Sequence, residues 1–200
     1  MEHFRPRASS RDDPTPASGP GAGSIQGVDS PMDTIQAIRT RRTVRSYLPQ
    51  PISKEVLETL LMAAFQTPSA FDERPWHFLV VDQPERLTNL ADAMEHCDML
   101  REAQAGFLIC IDPSLEKVPG FAIQDCSACG ENVLLAAHAM GIGACWIGLH
   151  PVEERERALH KVCCVPESLI PFALISLGYP NEDLPAIDRT DPTRVHWNEW

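Results

Sequence analysis

No apolar run in this 200-residue chain approaches the roughly 20 residues needed to span a bilayer, and the N-terminus has no apolar core of a secretory signal. A soluble cytoplasmic protein is expected. Basic residues are scarce: 17 Lys and Arg stand against 28 Asp and Glu, a net charge of −11. That balance excludes general affinity for nucleic acid or an anionic membrane surface, so any anion must find a local basic patch. There is neither a G-x-x-x-x-G-K-[ST] loop nor a G-x-G-x-x-G turn, which removes the usual support for a nucleoside triphosphate or a Rossmann dinucleotide. The seven cysteines are an odd number, several lie in apolar stretches, and none follows a regular loop spacing. They read as reduced, buried thiols, and a disulfide framework is not expected.

Residues 1–31 hold five Pro, four Gly and five Ser and almost nothing that could feed a core, so they read as a disordered tail. Residues 32–200 form one domain, of a length that buries roughly 70% of its extended surface. Asp33 is placed to cap a helix carrying Ile35 and Ile38. Ser53 is placed to cap a second, with Val56, Leu57, Leu60, Leu61 and Ala64 at helical spacing. Strands are predicted at 76–81, 107–111, 144–149 and 172–177. Helices are predicted near 84–95, 98–104, 124–140 (stopping at Gly141) and 151–162. Four strands separated by helices imply an α/β or α+β domain with a largely sequestered sheet.

Arg39, Arg41, Arg42 and Arg45 place four guanidinium groups within seven residues of an acidic domain. Such a cluster repels itself unless an anion neutralises it, and the guanidinium fork suits phosphate oxygens, although cations also favour a helix C-terminus. Thr43 adds a hydroxyl. Pro68 to Trp76 is a rigid polar loop running into an apolar strand, fit either for the edge of a flat ligand site or for a plain helix-to-strand link. In Gly141 to Gly148, glycines bracket a short apolar strand, which suits a close backbone approach to a ligand or a tight turn.

In order and spacing these segments resemble the FMN-dependent nitroreductase family over nearly all of residues 32–200. Arg41-Arg42-Thr43-Val44-Arg45 is similar to the family's Arg-Arg-Ser-x-Arg, and Pro68 to Trp76 to its Pro-Ser-x-x-Asn-x-Gln-Pro-Trp loop. Asp125-Cys126-Ser127-Ala128 through His138 resembles its central helix. Leu177-Gly178-Tyr179-Pro180 and Arg189 to Trp200 resemble its closing segments. The resemblance implies an α+β fold with a central, mainly antiparallel mixed sheet surrounded by helices, in a homodimer with active sites at the subunit interface. It implies FMN as cofactor and NADH or NADPH as electron donor. Arg41, Arg42 and Arg189 would hold the FMN phosphate with the Thr43 hydroxyl, and Arg45 would lie near the pyrimidine edge. The loop of Pro68, Ser69, Asp72 and Arg74 would reach the partner's flavin, and Trp146, Ile147 and Gly148 would pass the ring through their backbone. The flavin carries such chemistry, so no side chain is nominated as acid, base or nucleophile.

The chain departs from the family pattern at Asp72 (usually Asn), Arg74 (usually Gln) and Asp98 (commonly Lys). Ionised Asp cannot donate a hydrogen bond, so Asp72 is expected to pair with Arg74 instead of serving a flavin carbonyl. The expected activity is reduction of an electron-poor acceptor such as a nitroaromatic. Alternatives are reduction of a quinone, enone or halogenated aromatic, or a flavin- or metal-binding regulatory role without turnover. Cys126-x-x-Cys129 with His160-x-x-Cys163 has the residue types of a zinc site, but the first pair falls inside a predicted apolar helix, and no metal site is assigned. Because residues 1–31 lack the side chains that offset ordering entropy, deleting residues 1–30 is expected to leave cofactor content and melting temperature nearly unchanged. Calorimetry and flavin absorbance of the truncated protein check this.

Overall fold

The computed structural model describes residues 32–200; the expected tail lies outside the described residues. Asp33 accepts the Gln36 N–H at 3.0 Å and opens α1 (Thr34–Thr40), and Ser53 accepts the Val56 N–H at 3.4 Å to open α2 (Lys54–Phe65). There follow β1 (Trp76–Val81), α3 (Pro84–Ala93), β2 (Ala105–Ile111), α4 (Phe121–Ala139), β3 (Gly143–Gly148), α5 (Glu153–Cys163) and β4 (Ile170–Gly178). The helix expected near 98–104 is a short 3-10 turn, Asp98–Arg101.

The four strands form one sheet in the order β1-β2-β4-β3, with every ladder antiparallel. Among the described residues, parallel pairing is confined to an isolated bridge, Thr43 with Ala144. β2 is buried along its whole length. Alternation along it sends Phe107, Ile109 and Ile111 to a core shared with α2 and α4, and Leu108 and Cys110 to a second core under α3 and α5. Helices therefore cover both faces, which explains why the central strands read as continuous apolar runs. No helix among the described residues is long and apolar enough to cross a membrane.

The spine of the larger core is α4. Its start eluded the sequence pattern because Gly120, at φ 97°, offers no side-chain cap; Glu116 reaches forward to accept the Gly120 and Ala122 N–H groups at 2.7 and 3.1 Å. It ends as expected, with Gly141 at φ 74° and the Ile142 N–H returning to the Ala137 carbonyl at 2.8 Å. Gly130 lets the Trp146 ring lie directly on the helix: a Cβ there would stand 1.9 Å from Trp146 Cζ3. Gly130→Ala is therefore expected to lower stability by about 1–3 kcal/mol through overpacking, measured by thermal or urea unfolding, with a change in tryptophan fluorescence as the ring moves.

Candidate functional site

The C-terminal end of α1 delivers the arginine cluster. Past Arg41 the chain becomes extended and lies beside the start of β3, the Val44 N–H donating to the Ala144 carbonyl at 3.0 Å. Arg39, Arg41 and Arg42 meet Arg189 of the C-terminal segment around a groove of about 1170 Å³, whose acidic lining is Asp33 and Asp188. Asp33 is engaged as the α1 cap; Asp188 is held below the usual carboxylate range by the Thr190 hydroxyl and N–H, with Arg39 adding to the effect. Arg41 Nε is buried and has no hydrogen-bond partner among the described residues; Glu131 Oε1 stands 3.4 Å away, an ion-pair contact only. An orphaned, desolvated guanidinium donor in a cationic groove is the local chemistry of an anion site. Arg42 differs: its Nε and Nη2 donate to the carbonyls of Pro185 and Ile187 at 2.9 and 3.2 Å, binding the C-terminal segment to the groove.

A smaller cavity of about 260 Å³ shares Thr40, Arg41 and Arg42 with this groove and is bordered also by His138. Thr40 Oγ1 donates its one proton to the Gln36 carbonyl at 2.7 Å, so at its 2.8 Å contact with His138 the imidazole Nε2 is the donor. Burial, then Arg41 and Arg42, pull the His138 pKa down and keep the ring neutral beside the cluster.

Two acids that carry no motif hold the next residues. Glu182 Oε1 accepts the Arg45 and Ser46 N–H groups at 2.6 and 3.2 Å, and Glu102 Oε2 accepts the Tyr47 N–H at 3.0 Å. The Arg45 side chain lies by Cys145, whose thiol is pushed up by burial while Arg45 opposes that shift. β3 is an edge strand. Since Ala144 turns its carbonyl outward to Val44, the main-chain groups of Trp146 and Gly148 face the same outer edge. Arg155 Nη1 takes the Gly148 carbonyl at 2.8 Å. The Trp146 ring packs inward on α4, and Ile147 belongs to the opposite core. Trp146 and Gly148 thus offer backbone, not side chains, to that edge, while the main-chain groups of Ile147 face β4.

The Pro68–Arg74 loop lies at the other end of α4, anchored by Asp125, which accepts the Ala70 N–H at 3.1 and 3.2 Å from its two oxygens. Phe71, Asp72 and Arg74 all adopt left-handed φ, 51°, 53° and 47°. Asp72 and Arg74 close on each other at 2.6 and 2.9 Å, as expected from their charges, and Ser69 Oγ accepts the Arg74 N–H at 3.0 Å. Within one chain the structure thus gathers Arg41, Arg42 and Arg189 at one groove, Thr43 and Arg45 beside β3, and Pro68, Ser69, Asp72 and Arg74 on a separate loop. The zinc-like set does not assemble: Cys126 and Cys129 are core residues of α4, and His160 Nδ1 contacts the Val165 carbonyl at 2.9 Å. Among the described residues no three His, Cys, Asp or Glu side chains are grouped to hold a metal.

Comparison with known proteins agrees with this fold. The model of the Nitroreductase family matches residues 38–113 and 95–179. A protein of Methanothermobacter thermautotrophicus, given provisionally by its name as an NADH dehydrogenase/NAD(P)H nitroreductase, is 43% identical over 176 residues, covering 88% of this chain and 92% of its own. A crystal structure from Bacteroides thetaiotaomicron with the same provisional name superposes with a TM-score of 0.80 at 33% identity, covering 84% of this chain and 98% of the other. An FMN-dependent nitroreductase from Clostridium difficile superposes with a TM-score of 0.77 at 29% identity, covering 83% and 99%.

Because Arg42 spans two carbonyls of the C-terminal segment, Arg42→Ala is expected to free residues 183–190, raising their amide exchange about tenfold, the equivalent of roughly 1.4 kcal/mol. Hydrogen–deuterium exchange by mass spectrometry reads this, with α4 peptides as the unchanged control.

Proposed function

The chain belongs to the nitroreductase family of oxidoreductases, and from that premise we propose that it uses NADH or NADPH, with a bound FMN, to reduce an electron-poor acceptor such as a nitroaromatic. The observation that carries the cofactor is the buried, unpartnered Arg41 Nε in a groove shared with Arg39, Arg42 and Arg189. Bound FMN would supply the hydride-accepting and hydride-donating centre of this chemistry.

The chain's own residues supply binding and polarity. Arg41 and Arg189 present guanidinium donors to the phosphate, and Arg42 holds the segment that carries Arg189. The Thr43 hydroxyl adds a neutral donor. Arg45 places a cation where negative charge gathers on reduction, which favours the reduced state. The outer edge of β3 at Trp146 and Gly148 supplies main-chain groups to the ring, and the Ser69–Arg74 loop closes the site of a second subunit.

That last role requires a homodimer. Ile35 and Ile38 of α1, Phe65 of α2, Phe71 on the loop, and Trp197 and Trp200 near the C-terminus all stand exposed, Trp197 at 83%. Large apolar side chains left in water at this density support burial by another copy.

Purified protein is expected to be yellow, with noncovalent FMN approaching one per chain, and to oxidise NADH or NADPH when a nitroaromatic is added. Arg41→Ala is expected to weaken FMN binding by about 1.5–3 kcal/mol, the scale of a hydrogen bond to a charged group, while leaving the dimer intact. Flavin fluorescence titration and sedimentation velocity check the two halves. A colourless protein that also refuses added FMN would remove the cofactor, and a flavin-loaded, active monomer would remove the shared site.

A further inference from the structure

The outer edge of β3 is tied down by a residue outside the arginine cluster. Arg155 stands in the first turn of α5, where a cation opposes the helix dipole, so helix formation does not account for it. Its Nη1 donates to the Gly148 carbonyl at 2.8 Å and its Nη2 to the Glu95 carbonyl at 3.4 Å. One half-buried guanidinium thus joins the last residue of β3 to the chain beyond α3. Both acceptors are neutral. The adjacent acids are engaged, Glu153 with Arg157 at 3.5 Å and Glu156 with His150 at 2.9 Å, and Arg155 forms no ion pair among the described residues. Its charge is felt by a neighbour: burial pushes the Cys97 thiol up, and Arg155 opposes that shift.

Within a strand the N–H and C=O of one residue point to the same side, so Gly148 turns both to the outer edge. Arg155 takes the carbonyl. The Leu149 N–H of the same peptide unit donates to the Phe172 carbonyl at 3.1 Å, which fixes that unit from both sides. The Gly148 N–H has no hydrogen-bond partner among the described residues. Glycine at this position is not explained by the chain's own packing: its φ is not left-handed, and a Cβ would meet nothing nearer than Trp146 Nε1 at 4.0 Å. By contrast, a Cβ at Gly143 or Gly178 would stand 2.8 Å from Val44 or 2.6 Å from Tyr47. The open space at Gly148 and its free donor mark a place where another molecule approaches the backbone.

We propose that Arg155 is a positioning residue that fixes Gly148 as a donor toward the cofactor and biases bound FMN toward its reduced form. This rests on the proposed reading that the flavin ring lies along Trp146 to Gly148. Two-electron reduction by NADH or NADPH leaves added negative charge on the ring, and groups that meet that charge favourably stabilise the reduced form more than the oxidised one. With Arg155 in place, the edge presents an N–H donor beside a cation, and the neighbouring carbonyl is occupied. Removing the guanidinium takes away the cation and returns a free carbonyl dipole of the wrong sign. Both changes disfavour the reduced form.

The full-length protein loaded with FMN is titrated against a reference dye of known potential, and the FMN-free protein is followed by hydrogen–deuterium exchange corrected for intrinsic rate. Arg155→Met is expected to weaken reduced FMN relative to oxidised FMN about tenfold, which lowers the two-electron potential by about 30 mV. Arg155→Lys keeps the charge and is expected to hold that ratio within about twofold of the wild type. In the FMN-free Met variant the Leu149 and His150 amides, which both donate to Phe172, are expected to exchange about tenfold faster. Arg155→Gln, also neutral, repeats the potential measurement if the Met variant fails to fold. An unchanged potential in the neutral variants, or an equal fall in the Lys variant, would overturn the redox role. Unchanged amide exchange would overturn the anchoring. A wild type that takes up no FMN would instead overturn the proposed cofactor and the redox role with it, while the exchange measurement still decides the anchor.

Discussion

A concentration of positive charge organises the candidate site of this molecule. Arg39, Arg41, Arg42 and Arg189 crowd one groove, and the carboxylates lining it are engaged by α1 or by Thr190. In water such a cluster costs little, because solvent screens it. Burying Arg41 Nε removes that screening at one atom, and with Glu131 Oε1 3.4 Å away as an ion-pair contact only, the donor there is left without a hydrogen-bond acceptor among the described residues. Much of the surrounding architecture keeps the guanidinium groups where they are. The α1 cap sets the helix end, the Val44–Ala144 hydrogen bond registers the following strand-like segment against β3, and Glu182 and Glu102 clamp the next three backbone amides. Neutral His138 sits below without adding a further charge.

Helix α4 makes these arrangements mutually dependent. Asp125 near its start anchors the loop, Gly130 in its middle receives Trp146, Glu131 meets Arg41, and His138 near its end meets Thr40. At 1.5 Å per residue, the thirteen positions from Asp125 to His138 span about 20 Å. One rigid element thus sets the spacing between a cationic groove and a loop that share no local sequence. Its small and thiol side chains let it press against the sheet, and that close packing explains why Cys126 and Cys129 act as apolar residues despite their metal-like spacing.

The elements were legible where period and punctuation agreed. β1 and the α1 and α2 caps lie where alternation and Asp33 or Ser53 put them, and Gly141 ends α4. The start of α4 was hidden because its capping acid, Glu116, lies outside the helix and reaches it through a turn. At the site, the arginines stood out because they break an acidic background. Glu182 and Glu102 did not, since one acid among 28 carries no signal until the fold shows what it faces. Arg42 illustrates the remaining gap: composition marks it as a cation, and only tertiary structure shows it spending its donors on Pro185 and Ile187.

The departures at Asp72 and Arg74 now have a joint physical meaning. An exposed ion pair contributes little stability on its own, about 0–1 kcal/mol, so it does not explain why the loop bends as it does. Its consequence is orientation. Asp72 engages Arg74 Nε and Nη2, Ser69 Oγ engages the Arg74 backbone, and the left-handed φ values turn the side chain back along the loop. Nη1 stays outside that pairing, so a planar, permanently charged donor is fixed at the loop tip. In the proposed site, Asn and Gln would offer neutral donors to a flavin or its substrate; here the same stretch of backbone carries an acceptor-locked guanidinium. The exchange puts a guanidinium locked by a carboxylate where the family pattern has two neutral amides, so the loop tip presents charge in place of neutral hydrogen-bonding groups.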